Sequence, residues 1–309
     1  MARSSEGVPA GAGPAAVLDV ACRLAENGGT VPAEITAAAA SVSSEVASLP
    51  GQQLRQALEK LIMAEHADEG LQWLHESGVL RDVLPELEAT VNLSQEAGRR
   101  HKDVWEHTKQ VVMQSPTQPI VRWAALLHDI GKVTTRVMLP DGKVTFHRHA
   151  EVGARMFDGI SRRLGFARPE RSRIRFLIFN HLRANAYEPE WTDAAVRRLD
   201  HEIGEALPEL VELSRADVTS ARPGRRQEAA RNIEALLQRV TAVREMDARV
   251  PPLPPGVGNA IMEAFGIPPS RRVGELRKLC EDAIERGELL ERQPSEYYVD
   301  FLRRRGVGA

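Results

Sequence analysis

Cysteines, aromatic residues and long apolar runs are all scarce in this chain, and each scarcity excludes a class of protein. Only Cys22 and Cys280 occur among 309 residues, which argues against a disulfide framework and for a reducing compartment. No apolar run approaches the roughly 20 residues of a membrane span, and the first residues lack a basic-then-apolar export pattern. We therefore expect a cytoplasmic protein with no membrane partner.

The charges are nearly balanced, with 41 Lys and Arg against 43 Asp and Glu. This balance gives no global attraction to nucleic acid and no sign of DNA specificity, although local basic patches remain open. Aromatic residues make up 5% of the chain, β-branched runs are few, and helical periodicity dominates, so we predict an all-α fold. The one exception is a turn signal, Pro140-Asp141-Gly142, between two short β-prone runs, which predicts a small hairpin.

The most informative residues are the adjacent pair His128 and Asp129, which closes the apolar run 120–127. Two polar side chains at the end of a buried helix are costly unless something compensates them, and a bound cation does so. Further His and Asp residues before and after the pair complete the order H…HD…H…H…D. The six candidate metal ligands are His107, His128, Asp129, His149, His181 and Asp217.

Each candidate ligand or ligand pair lies on the apolar stripe of a predicted helix. His128, for example, follows Val121, Ala124 and Ala125 at helical spacing. A lone histidine on such a stripe is more often a hydrogen-bonded core residue than a ligand. Six residues in this order, with an adjacent His-Asp pair, favour instead a metal site built from several helices.

The sequence around these ligands resembles the HD region of bacterial CCA-adding tRNA nucleotidyltransferases, within the superfamily of HD-domain metal-dependent phosphohydrolases. The resemblance is carried by residues 102–108, 124–132 and 147–154, and it extends outward through 70–87 and 261–276. It implies an organisation with a neck-like helical region before the HD domain and a helical tail after it. The expected regions are a disordered leader (1–13), the neck-like region (14–100), the HD phosphohydrolase domain (101–226), and a connecting helix, Pro-rich linker and tail (227–309).

Two motifs of that family's nucleotidyltransferase head are missing from the sequence. The chain contains no Gly-Ser dipeptide and no D-x-D carboxylate pair, and residues 49–55 replace the nucleotide-reading E/D-D-x-x-R motif of the neck. We therefore expect a headless relative that does not add CCA on its own. The oligomeric state, and the need for a separate nucleotidyltransferase or kinase partner, are left open.

The resemblance also implies roles for the ligands. His107, His128, Asp129 and Asp217 would hold a first divalent cation, with Asp129 able to bridge. His149 and His181 would complete a second metal site or, with one metal, contact the phosphate and the leaving group. The cofactor is thus one or two divalent ions, with Mn²⁺, Mg²⁺, Co²⁺, Ni²⁺ and iron all open, and the expected catalytic residues are Asp129, His149, His181 and Lys132.

Several cations near the ligands have two interpretations each. Lys132 either neutralises the substrate phosphate or is an ordinary cation at a helix C-terminus. His147 is either a general acid or a solvated loop residue. The arginines either contact phosphate or RNA backbone or form a solvated face. The expected substrate-binding residues are Lys132, Arg148, Arg183 and Arg222, with Arg225 and Arg226 beside them.

The expected function follows from the family. The resemblance implies hydrolysis of the 2′,3′-cyclic phosphodiesterase, 2′-nucleotidase or phosphatase type, acting on the phosphates of nucleotides or RNA ends, with tRNA or other RNA as partner. Metal ligands specify hydrolysis of P–O bonds but not the attached group. Two alternatives therefore stay open: a non-catalytic tRNA- or RNA-binding module, and an HD hydrolase of a signalling nucleotide such as an alarmone or a dNTP.

Overall fold

The computed structural model describes residues 13–94, 103–219, 224–248 and 251–307. The chain divides into two compact units, residues 1–240 and 241–309, and the division lies within one long helix. The helices of the first part are α1 (Pro14–Asn27), α2 (Ala33–Ser41), α3 (Ser43–Ala47), α4 (Gly51–Ile62), α5 (Ala67–Glu76), α6 (Val79–Val83), α7 (Pro85–Glu88), α8 (Val104–Gln114) and α9 (Pro119–Leu127). They are followed by α10 (Lys132–Thr135), β1 (Arg136–Met138), β2 (Val144–Phe146), α11 (His149–Arg163), α12 (Arg168–Asn180), α13 (Asp193–Ile203), a 3-10 turn (Gly204–Ala206), α14 (Leu207–Ala216), α15 (Arg225–Ala248), α16 (Val257–Phe265), α17 (Arg271–Glu285) and α18 (Ser295–Arg304).

The prediction of an all-α fold is confirmed, and so is the small hairpin. Strands β1 and β2 pair antiparallel, with Arg136 opposite Phe146. In the turn, the Leu139 N–H donates to the Lys143 carbonyl at 2.8 Å, and Gly142 has a φ of 80°, a left-handed conformation that glycine adopts without strain. The hairpin joins the segment that carries the His-Asp pair to the start of α11.

Helix α9 is the centre of the first unit. Proline suits its first turn, where the missing N–H has no intrahelical acceptor, and residues 121–127 are all buried. Apart from Arg122, which donates to the Ile62 carbonyl at 2.9 Å, these residues are apolar, as expected of a helix that is enclosed by its neighbours. It contacts α4, α8, α12 and α14, so three of the helices that carry candidate ligands pack directly against it.

The second unit is a small helical body with its own core. Helices α16, α17 and α18 pack around it. Residues Pro251–Gly256 are non-helical as predicted, yet Leu253 within them is only 3% exposed. The buried core residues of this unit include Leu253, Val257, Ile261, Leu276, Cys280, Tyr298 and Leu302.

The finer division of the chain stays a prediction. The expected boundary at 226/227 falls near the start of α15, which runs on without interruption to Ala248. The expected leader lies outside the described residues, apart from Gly13. Among the residues that the structure describes, no helix has both the length and the apolar content needed to cross a membrane.

Candidate metal centre

The six candidate ligands converge because helices end or begin at one place. His128, His181 and Asp217 each follow the last residue of a helix, α9, α12 and α14 respectively. His149 is the first residue of α11, and His107 lies within α8. The carbonyl ends of three helices therefore face the site, and their partial negative charge favours a cation there.

Four of the residues form what we call the first cluster: His107, His128, Asp129 and Asp217. The Nε2 atom of His107 lies 3.0 Å from Asp217 Oδ1 and 3.5 Å from Asp129 Oδ2. The Nε2 atom of His128 lies 3.2 Å from the same Asp129 Oδ2 and 3.5 Å from Asp217 Oδ1. Two imidazole nitrogens and two carboxylate oxygens thus face one point, as in a metal site.

The second cluster consists of Asp129, His149 and His181. The other oxygen of Asp129, Oδ1, lies 3.4 Å from His149 Nε2 and 3.9 Å from His181 Nε2. The two histidine Nε2 atoms are 3.2 Å apart. The ligand atoms of His107, His128 and Asp129 are close enough to hold one ion, and so are those of Asp129, His149 and His181. Asp129 presents one oxygen to each set. The arrangement suits a carboxylate that bridges two cations.

The hydrogen bonds of the ring nitrogens fix how three of the histidines can act. Nδ1 of His128, His149 and His181 contacts a main-chain carbonyl at 2.8, 2.9 and 2.7 Å respectively. A carbonyl only accepts, so Nδ1 must carry the hydrogen and a neutral ring has a bare Nε2 lone pair. The lone pairs of His149 and His181 then face each other at 3.2 Å, which is repulsive unless a cation lies against them. The donor set therefore fits a divalent metal.

The electrostatics of the site give most ligands the form that binds metal. Burial lowers the pKa of the His181 imidazole to about 4 and also lowers the pKa of His149, so both are neutral at pH 7. Burial opposes ionisation of Asp129 and Asp217, but nearby His128 and His107, with Lys132 beside Asp129, hold both carboxyl pKa values well below the usual range.

His128 is the exception. Burial lowers its pKa, but the carboxylates of Asp129 and Asp217 outweigh burial and raise it to about 10. A cation at the first cluster would therefore compete with a proton on His128, because metals bind the deprotonated imidazole.

Gly131 was given no separate role by the sequence, yet it controls the approach of two ligand-bearing segments. A Cβ at Gly131 would lie 2.1 Å from the His149 carbonyl oxygen and 2.6 Å from the Gly153 nitrogen. Only glycine fits there, since backbone atoms cannot move aside cheaply. The turn after the His-Asp pair thus packs directly on the first turn of α11, which brings His149 next to Asp129.

Lys132 lies in the site, in an ion pair that the sequence did not predict. Its Nζ is 2.6 Å from Asp129 Oδ2 and 5.4 Å from the centre of the Phe146 ring. This position places an ammonium beside the shared carboxylate, where it can reach a phosphate bound to the same centre.

The other predicted substrate-binding residues are placed differently. Arg148 is exposed, has a left-handed φ of 62°, and lies 3.6 Å from Glu151. Arg183 pairs with Glu202 and lines a separate surface groove with Phe176 and Phe179, which contains none of the six ligands. Arg222 lies outside the described residues. Substrate binding by these arginines stays a prediction.

Two further residues near the predicted cations can be placed. His147 is exposed. Arg226 donates to Gln114 Oε1 at 2.9 Å. Sequence reasoning also missed Thr219, whose hydroxyl oxygen is 2.9 Å from His107 Nδ1; no local pattern marks a contact across 112 residues.

The sequence is similar to a family model and to several known proteins. The family model described as the HD domain matches residues 89–222. The A-adding tRNA nucleotidyltransferase of Deinococcus radiodurans is 33% identical over 255 residues, which cover 80% of this chain and 57% of that relative. The CC-adding tRNA nucleotidyltransferase of Thermus thermophilus is 29% identical over 265 residues, covering 83% of this chain and 58% of that protein.

A third relative, the multifunctional CCA protein of Pseudomonas syringae, is 31% identical over 128 residues, covering 40% of this chain and 30% of its own length. The chain thus spans a little over half the length of the first two relatives, at 57% and 58%. Residues 89–222 of the chain therefore match the HD domain, and the chain is similar over 80% of its length to an A-adding tRNA nucleotidyltransferase.

Proposed function

We propose that the chain is a metal-dependent phosphohydrolase with two cations bridged by Asp129, acting on 2′,3′-cyclic or terminal phosphates of nucleotides or RNA ends. The observation that supports the proposal is that the two carboxylate oxygens of Asp129 face different clusters. Its Oδ2 faces the first cluster at 3.2 Å and its Oδ1 faces the second at 3.4 Å. A carboxylate shared in this way is how two-metal hydrolytic sites hold their ions about 3.5–4 Å apart.

The residues have distinct tasks in this mechanism. A bound divalent cation lowers the pKa of a bound water and polarises a phosphoryl oxygen. His107, His128 and Asp217 would hold a first cation, His149 and His181 would hold a second, and Asp129 would offer one oxygen to each. Lys132 Nζ, 2.6 Å from Asp129, neutralises charge on the substrate phosphate.

The relatives support RNA as the substrate class, since the three named above act on tRNA or carry the CCA name. Hydrolysis is better supported than nucleotide addition because the sequence has six metal-grade residues in the HD order and no D-x-D pair. Which ester is hydrolysed depends on groups outside the metal centre.

The test is hydrolysis of 2′,3′-cAMP, p-nitrophenyl phosphate and bis-p-nitrophenyl phosphate with Mg²⁺, Mn²⁺, Co²⁺, Ni²⁺, Fe²⁺ and Zn²⁺. Wild-type protein is compared with Asp129→Ala and with Asp141→Ala, a control acid that is exposed in the hairpin turn. We expect metal-dependent turnover that is lost in Asp129→Ala and kept in Asp141→Ala. Turnover by metal-depleted wild type, or no turnover by folded and metal-loaded protein, would contradict the proposal.

One observation favours a second candidate, a non-catalytic RNA-binding module. The similarity to the A-adding relative spans 255 residues, so it extends well beyond the HD domain at 89–222. This candidate predicts salt-sensitive tRNA binding that survives a His128→Ala/Asp129→Ala double variant, together with no hydrolysis by the wild type. Filter binding of labelled tRNA at rising salt separates it from the hydrolase.

A further inference from the structure

His107 is held differently from the other three histidines of the metal centre. Each of those rings contacts a main-chain carbonyl three residues earlier through Nδ1. Nδ1 of His107 contacts instead the side-chain hydroxyl of Thr219, at 2.9 Å. His107 is also less enclosed than His128 and His181, with a side chain 13% exposed against 1% for each of them.

The difference matters because a hydroxyl can accept or donate, whereas a carbonyl can only accept. Without a cation, Thr219 can donate to Nδ1, and the Nε2–H of His107 then donates to Asp217 Oδ1, 3.0 Å away. When a cation occupies Nε2, the hydrogen resides on Nδ1 and is donated to Thr219. Both ring nitrogens therefore have a partner in either tautomer, and the ring need not turn when a cation arrives.

The same contact also holds Asp217. Residues 216–219 are attached to α8 at two points, seven residues and hence about two turns apart on one face of that helix. Gln114 Nε2 donates to the Ala216 carbonyl at 2.6 Å, and His107 contacts Thr219 at 2.9 Å. Asp217 lies between these two attachments, so its carboxylate is carried by a segment fixed on both sides.

We propose that Thr219 is a positioning residue for the first cluster, which keeps His107 and Asp217 in ligand orientation both with and without a cation. The inference rests on the proposed two-metal function, because it names what tunes one half of that centre. Hydrogen-bond partners of metal-bound histidines usually set ring orientation and basicity in this manner, and their loss costs about 10- to 100-fold in affinity.

The experiment compares wild type with Thr219→Val, which keeps the shape and removes the hydroxyl, and with Thr219→Ser, which keeps the hydroxyl. Mn²⁺ and Zn²⁺ binding are measured by calorimetry and by metal content after dialysis. We expect Thr219→Val to weaken the first-cluster binding step about 10- to 100-fold and to leave the other step unchanged, while Thr219→Ser binds as wild type does.

A second readout uses metal-free protein. Nitrogen-15 NMR of the histidine rings reports which nitrogen carries the hydrogen. Thr219→Val should shift the tautomer balance of His107 and leave those of His128, His149 and His181 as they are. If Val at this position prevents folding, Thr219→Ala makes the same test.

Unchanged cation affinity and unchanged His107 signals in Thr219→Val would overturn the inference. Equal weakening in Thr219→Ser and Thr219→Val would also overturn it, since the hydroxyl would then be irrelevant. The two proposals fail separately. If wild type takes up no cation, the proposed function is wrong, whereas the NMR comparison still decides whether Thr219 orients His107.

Discussion

The two clusters of the candidate metal centre share Asp129 but differ in charge and in enclosure. The first has a second carboxylate, Asp217, and its outer residues His107 and Asp217 have side chains 13% and 15% exposed. The second has no carboxylate beyond the shared one, and its His149 and His181 side chains are 11% and 1% exposed. A second anionic ligand strengthens attraction to a dication, so the first cluster should bind a cation more tightly than the second.

The expected difference in cation affinity between the two clusters is tested most strongly at Asp217. Asp217→Asn keeps the shape and removes the charge that distinguishes the first cluster. We expect the tighter cation-binding step to weaken by more than about 100-fold, above the loss of an outer hydrogen-bond partner, with hydrolysis falling in parallel. Calorimetric titration with Mn²⁺ measures the step. Glu212→Gln, on the helix that Asp217 follows and paired with Arg215, is the control and should bind as wild type. An unaltered tighter step in Asp217→Asn would remove the assigned difference between the clusters.

The second cluster is tested by His181→Ala. Because burial lowers the pKa of His181 to about 4, its ring is already neutral and gives a ligand without first losing a proton. We expect cation stoichiometry to fall from two to one, with the tighter step retained. Metal content after dialysis against Mn²⁺ gives the number. His201→Ala, an exposed histidine on α13, should keep both ions. A variant at His181 that still holds two ions would show that His181 is not needed to bind the second cation.

Gly131 packs against the first turn of α11, which carries His149 of the second cluster. We expect Gly131→Ala to lower both the stability of the protein and the cation affinity of the second cluster. The new Cβ would meet the His149 carbonyl at 2.1 Å, so α11 must shift, at an overpacking cost of about 1–3 kcal/mol. The unfolding free energy from urea melts should fall by that amount, and the cation affinity of the second cluster should also fall.

The matched control for this change is Gly159→Ala, on α11 itself, where an added Cβ has no atom within 4 Å. Alanine in an open helical position should stabilise the protein by about 0.5–1 kcal/mol. The two substitutions therefore have opposite expected signs on the same measurement. A Gly131→Ala variant as stable as wild type would mean that the contact between α10 and α11 relaxes easily.

The smallest expected effect concerns substrate, through Lys132. Its Nζ contacts Asp129 Oδ2, on the side of the first cluster. Lys132→Ala should raise KM about tenfold, which corresponds to ~1.4 kcal/mol, with a smaller change in kcat, because a ground-state phosphate contact is lost. Steady-state kinetics with 2′,3′-cAMP measure both. Lys143→Ala, exposed in the hairpin, is the control. Unchanged KM and kcat in Lys132→Ala would show that Lys132 does not contact the substrate phosphate.

Much of the site could be anticipated because its ligands follow local rules. Helical spacing placed His128 and His181 on the inner stripes of their helices, and both side chains are 1% exposed. The hairpin followed from a Pro-Asp-Gly turn between β-prone runs, which is also a local signal. That these residues bind metal is still a prediction, supported by the donor set and the homology.

Other features of the site could not be predicted from short-range sequence patterns. Arg183 follows His181 by two residues, but α12 ends at Asn180. Arg183 lies in the turn after the helix and pairs with Glu202 outside the site. Thr219 meets His107 only through the packing of α14 beside α8. The value of glycine at Gly131 depends on a backbone 18 residues later, which no pattern around the His-Asp pair reveals.

The periodicity of apolar side chains is enough to show which face of each helix is buried, and hence that the two carboxylates and four histidines point toward the interior. Tertiary packing is what brings the carbonyl ends of α9, α12 and α14 together. It also turns the two oxygens of Asp129 toward different clusters and places Thr219 against His107. Those outcomes depend on distances between segments far apart in the chain, and these are fixed by close packing of the helices rather than by any local preference.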